Sequence, residues 1–196
     1  VVFSYYRRLN AAQRRVYRAS DDVVSVPLPD ADSLRPLTHM LEQELISEDR
    51  ARVQSLCQQL ANGLAARLGA PRITVVVLAA RPSADWGELH GLYESAVQGE
   101  AARITLWMRT AQRRRVVAFR TFLRTLLHEL GHHLDYEVFR FGESYHTEGF
   151  YKRESSLFRQ LMGTAPQAPP AGPPDSTGPR RARQPAGEVA TRPRRG

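Results

Sequence analysis

The chain has 196 residues, 42% of them hydrophobic, and a formal net charge of +8, which is enough for one domain with a real core plus tails. Its single cysteine, Cys57, excludes an intrachain disulfide and any cysteine-built metal site. No stretch approaches the roughly 18 consecutive apolar residues of a membrane-crossing helix, so a soluble, cytoplasmic protein is expected, with no membrane partner. The first residue is Val1 rather than Met, which leaves a preceding segment open.

In chain order, residues 1–33 mix arginines and tyrosines with the extended-looking "VVSVPLPDADS" and predict a short strand or an arm laid against the body. From Leu34 to Leu68 apolar residues recur at three- and four-residue spacings (Leu37, Met40, Leu41, Leu45, then Val53, Leu56, Leu60, Leu64, Leu68), the mark of two helices. Ser47 suits the cap of the second, and Gly69 with Pro71 its end. "RITVVVLAA", Arg72 to Ala80, is continuous and β-branched, as expected of a central strand buried on both faces. "RPSADW" reads as a loop. Two strands follow, Glu88 to Tyr93 and Arg103 to Arg109, the second alternating Ile104, Leu106 and Met108 against Thr105 and Trp107, so that one face is buried. A third helix is expected over Val117–Asp135, carrying an apolar stripe from Phe119 to Leu134, and a last one over Thr147–Met162.

From Thr164 onward the composition changes. The segment holds eight of the thirteen prolines, no aromatic residue and Val189 as its only large aliphatic, too little apolar surface to offset the entropy of ordering. Residues 164–196 are therefore expected to be a disordered tail behind a domain spanning 34–163. Six arginines against Asp175 and Glu188 give the tail half of the net charge. That balance suits weak contact with nucleic acid or another polyanion without establishing one.

The chemistry concentrates in "RTLLHELGHHLDYEVFRFGESYHTEGFY", Arg124 to Tyr151. A helix advances about 100° per residue, so His128 and His132 project from one face and can share one metal ion. Glu129 beside them is not needed as a ligand. In hydrolases of this pattern the metal lowers the pKa of its water, and the glutamate takes the water's proton and passes it to the leaving amine. A catalytic zinc takes three protein ligands. The metzincin spacing would put a third histidine at position 138, which is Val138, so that class is excluded. His146 in "SYHTEGFYKRE" and Glu154 in "KRESSLFRQL" remain as third ligands, with Glu148 a weaker one. His133 should face away from the metal. Asp135 suits either an orienting carboxylate or a surface helix end. Tyr145 and Tyr151 suit oxyanion donors or core packing, and Arg113 to Arg115 suit either the mouth of the cleft or solvent.

"HELGH" at His128–His132 with "HTEGF" at His146–Phe150, preceded by "GLY" at Gly91–Tyr93, "RITL" at Arg103–Leu106 and "FLRTLLHELGH", resembles the SprT-like (Spartan-related) zinc metalloproteases over roughly Leu89 to Leu161. The resemblance implies a zincin fold, Zn2+ held by His128, His132 and His146, and Glu129 as general base. "HGLY" with "TLLHELGHHL" is also similar to gluzincin-type peptidases linked to phage repressor cleavage, which use a downstream glutamate and keep Glu154 in play.

The reading that follows is an α+β, zincin-like domain: a small mixed sheet whose antiparallel edge strand, "RITLWM", packs on the helix carrying the metal motif, with helices before and after. Its expected activity is zinc-dependent hydrolysis of a protein or peptide substrate laid along that edge. The rival is a non-catalytic basic adaptor whose metal site only staples the fold and whose arginine-rich tail binds nucleic acid.

Overall fold

The computed structural model describes residues 3–84, 87–97 and 99–163; the expected disordered tail, 164–196, lies outside the described residues. Among these residues the fold is mixed α+β, with five α-helices and a three-stranded mixed sheet. Among the described residues no helix is long and apolar enough to cross a membrane.

Residues 1–33 were the segment least well predicted. After a 3-10 turn over Ser4–Arg8, the chain forms helix α1 over Ala11–Asp22, where a strand or arm was expected. Asn10 explains the start: its side chain accepts from Gln13 N while the Gln13 side chain accepts from Asn10 N, a reciprocal cap. Beyond α1 the chain runs without regular structure to Leu28 and docks on the last helix, where Gln160 accepts from Leu28 N and donates to Val26 O, both at 2.8 Å.

Helices α2 (Arg35–Ser47) and α3 (Arg50–Leu68) fall where the periodicity places them. The cap differs from expectation. Asp49, not Ser47, accepts from Arg52 N, because Glu48 adopts a left-handed conformation (φ 60°) that turns the chain before α3 and leaves Ser47 as the last residue of α2. Gly69 ends α3 as expected, at φ 68°. Val53, Cys57, Leu60 and Leu64 on α3 are fully buried, the cysteine serving as one more apolar core group.

The sheet corrects two expectations. Its order is β1-β5-β4: β1 (Thr74–Ala80) is parallel to β5 (Arg103–Arg109), and β4 (Gly91–Glu94) is antiparallel to β5. "RITLWM" is thus the central strand, buried from Ile104 to Met108 on both faces, and "GLYE" is the antiparallel edge. Conversely β1 lies at the other edge, with Val75 and Val77 inside and Leu78 41% exposed. Its unbroken apolar run conceals that alternation. What allows a β-branched edge is α3: Gln58 and Gln54 accept from Val75 N and Val77 N at 2.8 and 3.0 Å, and Arg50 donates to Val77 O. These side chains occupy the groups that would otherwise template another strand. Part of "RPSADW", expected as a loop, enters a small hairpin of β2 (Ser83–Ala84) and β3 (Gly87–Glu88).

Helix α4 spans Phe119–Glu137 and α5 Glu148–Met162, each within two residues of prediction, and Thr147 caps α5 by accepting from Phe150 N at 2.9 Å. Phe122, Leu123, Leu126, Leu127 and Leu130 bury one face of α4 against the sheet and its helices. At roughly 1.5–3 kcal/mol for each buried side chain of this size, that face fixes the helix, and with it the direction in which His128 and His132 point.

Candidate metal centre

Three imidazoles converge between α4 and the turn into α5. His146 Nε2 lies 3.0 Å from His128 Nε2 and 3.1 Å from His132 Nε2. These three residues form a set of ligand atoms close enough for one ion, the candidate cluster among the described residues. Phe150 closes the inner side, its ring 4.9–5.3 Å from all three. The close fit depends on Gly131, where a Cβ would meet the Phe150 ring at 2.9 Å.

The far side of each ring decides which nitrogen is bare. Ser144 Oγ donates its one proton to Asp135 Oδ2 at 2.7 Å, so it must accept from His132 Nδ1, also at 2.7 Å. His132 therefore carries its proton on Nδ1 and presents a lone pair from Nε2. Likewise a carboxylate only accepts, so the contact between His128 Nδ1 and Glu154 Oε2 at 3.3 Å puts the His128 proton on Nδ1. Two lone pairs thus face His146 Nε2, which has at most one proton to offer. A cation resolves the conflict. Tetrahedral zinc with bonds of about 2.0–2.1 Å needs nitrogens a little over 3 Å apart; the two pairs made by His146 are near that spacing and all three ligand atoms lie within 4.8 Å of one another, a donor set that suits zinc among other divalent ions.

Electrostatics favours the same state. Burial holds the His132 imidazole well below its ordinary pKa, with His128, His146 and Arg153 pushing the same way. Burial, then His128, lowers His146 to about 3. Neutral rings keep their lone pairs available.

Behind His132 stands a buried chain of polar groups. Asp135, with no exposed surface, accepts from Ser144 and from Arg153 (2.7 Å); Arg153, 3% exposed, also donates to Ser20 O (2.5 Å) and Val23 O (2.8 Å) at the end of α1. Burial raises the Asp135 carboxyl to about 6 against the opposing pull of Arg153 and Ser144. Asp135 is therefore an orienting carboxylate, acting through Ser144. Arg153 and α1 were not found from sequence; the one signal was an arginine three residues after Phe150 on the apolar side of α5.

Glu154 does not join the cluster. It accepts from Arg124 at 3.0 Å and sits on the Nδ1 side of His128, away from the converging Nε2 atoms. Glu148 is turned to Lys152 at 2.6 Å, an ion pair that lowers its pKa. His133 faces away, as expected, contacting Pro71 O at 2.9 Å and Tyr93 OH at 3.2 Å. Tyr145 is buried and donates to Glu143, packed on Tyr5 and Tyr17. Tyr151 is 42% exposed, its ring about 6 Å from those of His128 (6.0 Å) and His146 (5.9 Å). Arg113 to Arg115 are exposed in the loop between β5 and α4, beyond the N-terminus of α4, which itself runs about 13 Å from Phe119 to His128 at about 1.5 Å per residue.

Glu129 lies under the edge strand. Gly91 of β4 packs directly on its carboxylate, and any Cβ at that position would collide with it. With 6% exposure, Glu129 is held against the sheet edge at Gly91. The turn that carries His146 is held in turn by α1: Gly149 packs against the carbonyls of Ser20 and Asp21, its N–H donates to Asp21 Oδ1 at 2.9 Å, and Tyr5 OH donates to His146 O at 2.9 Å.

In comparisons with known proteins, no family model, no curated protein and no solved structure matches this chain.

Proposed function

We propose that the chain is a zinc-dependent metallopeptidase of zincin type, with His128, His132 and His146 as ligands and Glu129 as general base. The observation that carries this reading is the convergence of three Nε2 atoms, two of them bare by their hydrogen bonds, with Glu129 next to His128 on the same helix. The likeness of "HELGH" and "HTEGF" to SprT-like sequences agrees with it. Glu154 takes the role of a positioning residue rather than the third ligand of the gluzincin alternative, because its carboxylate is engaged on the other side of the His128 ring.

A zinc ion bound there would supply Lewis acidity and lower the pKa of a coordinated water to about 7. Glu129 accepts the proton of the attacking water and returns it to the departing amine nitrogen. Tyr151, half-open beside the cluster and with no hydrogen bond from its hydroxyl among the described residues, is placed to donate to the substrate's carbonyl oxygen as it gains charge. β4, paired on one side only among the described residues, offers its main chain to an extended peptide. Ser144 and Glu154 keep the ligand imidazoles in the bare-Nε2 tautomer.

The test is zinc content by plasma mass spectrometry on wild type, His146→Ala and Glu129→Gln, with turnover of an unfolded protein substrate. The reading expects about one equivalent of zinc in wild type and in Glu129→Gln, little in His146→Ala, and turnover in wild type alone. Zinc in wild type without turnover, unaffected by Glu129→Gln, would favour the structural metal site of a basic adaptor.

A further inference from the structure

Exposure along α4 is divided at the metal site. Downstream of His128 the helix is buried almost continuously, through Glu129, Leu130, His132, His133, Leu134, Asp135 and Tyr136; upstream, Arg120 and Thr121 are exposed and Arg124 and Thr125 partly so. The open residues form a stripe that leads from His128 toward the start of the helix. β4 borders it on one side, Gly91 packing on Thr125 and Glu129. α5 borders it on the other, where Phe158 lies beneath the guanidinium groups of Arg124 and Arg120, 4.2 and 5.1 Å from the ring centre.

We infer that this stripe is the floor of a substrate trough that takes acidic side chains on the C-terminal side of the cleaved bond, with Arg120 as the residue that selects them. The inference rests on the peptidase reading and extends it to substrate class. Chain direction follows from packing. β4 runs alongside α4 in the same sense, Gly91 lying by Thr125 and Tyr93 by His132, His133 and Tyr136. A peptide paired antiparallel to β4, the slightly more stable mode, therefore has its N-terminal half near Tyr93 and its C-terminal half over Thr125, Arg124 and Arg120. Arg120 lies about 12 Å along the axis from His128 at about 1.5 Å per residue, a span of three or four extended peptide residues at roughly 3.3 Å each.

The charge at that end is one-sided. Arg124 is already tied to Glu154 at 3.0 Å, whereas Arg120 makes no ion pair among the described residues and is held in place by the Phe158 ring. α4 has no acidic residue in its first turn, and the positive end of its dipole points the same way. Phosphate groups carry the same sign as carboxylates, but single-stranded nucleic acid gains further from open aromatic faces on which its bases stack. Beside Arg120 and Arg124 the ring is Phe158, 1% exposed and covered by the two arginines.

The experiment is fluorescence anisotropy on zinc-loaded full-length Glu129→Gln, using labelled peptides of one length with an Asp, Ala or Lys block in either half. The Asp block in the C-terminal half should bind about tenfold more tightly than the Lys block at low salt, since exchanging attraction for repulsion counts an exposed charge pair twice. Adding Arg120→Glu should invert that order with zinc content unchanged. No charge preference, or one that Arg120→Glu leaves alone, overturns the inference. So does a single-stranded oligonucleotide that displaces the Asp peptide and loses its own binding on Arg120→Glu. Cleavage of the same peptides by wild type keeps the two readings apart: an intact peptide set with the binding preference present removes the peptidase reading and leaves the acidic trough standing.

Discussion

His132 and His128 stand one helical turn apart on α4, yet the protein backs them in opposite ways. His132 leans on Ser144, Asp135 and Arg153, none more than 3% exposed, a chain that continues into the backbone of α1. His128 leans on Glu154, which is held by an Arg124 side chain 41% exposed. The same task, fixing a tautomer, is thus done once by the core and once by the surface. In the interior the support also joins α1, α4 and α5, so site and fold are inseparable there. On the open side, where Glu154 is 11% exposed and Arg124 41%, the support joins α4 and α5 only and is in part screened by water.

The largest effect should come from cutting the buried arm. Asp135→Ala leaves Arg153 charged and without its carboxylate, and should cost about 3–5 kcal/mol of stability, read by urea denaturation at neutral pH. Pairing it with Arg153→Met removes the stranded charge and should recover a large part of that loss. If Asp135→Ala cost no more than Arg124→Ala, the contrast between interior and surface would fail. Next comes acid. His132 and His146 have folded pKa values depressed by burial, the latter from 6.5 to about 3. For these two groups the unfolded chain binds more protons between those limits, so their contribution to stability is full above pH 6.5 and is lost as pH falls toward 3, while Asp135, raised to about 6, acts in the opposite sense between its ordinary 3.8 and that value. Metal-free protein should show this in its melting temperature, and His146→Gln should flatten the slope.

This division also explains what could be seen in the sequence. The histidine pair was legible because helical spacing alone puts His128 and His132 together, and the helices were legible because their apolar stripes follow one period. The third position stayed open between His146, Glu154 and Glu148, since a loop's path has no periodic signal; the turn after α4 is what brings His146 to the pair. Arg153 read as one of many arginines; only the approach of α1 makes it a buried cation. α1 itself was missed because its helix signal lies in a cap, Asn10 with Gln13, and not in a broad apolar face: Tyr17 and Ser20 are its buried residues. The exchange of central and edge strands has a similar cause. β1 looks buried because it is β-branched from Thr74 to Val77 and apolar on to Ala80, but its outer edge is closed by glutamines of α3 that no reading of β1 alone reveals.

The smallest effects are the most discriminating, because they compare the two arms in one measurement. Ser144→Ala strips the acceptor from His132 Nδ1–H in a buried place where water does not replace it, and should weaken zinc binding about 10- to 100-fold. Glu154→Gln keeps an amide oxygen for His128 Nδ1–H and loses only the charge facing a half-open Arg124, so its loss should stay below about tenfold. Competition with a chelator of known affinity reads both. Were Glu154 the third ligand, the order would reverse, with Glu154→Gln releasing most of the metal and His146→Ala retaining it. The expected order follows from where the two carboxylates sit: Asp135 has no solvent to fall back on, while Glu154 meets a guanidinium that water already screens.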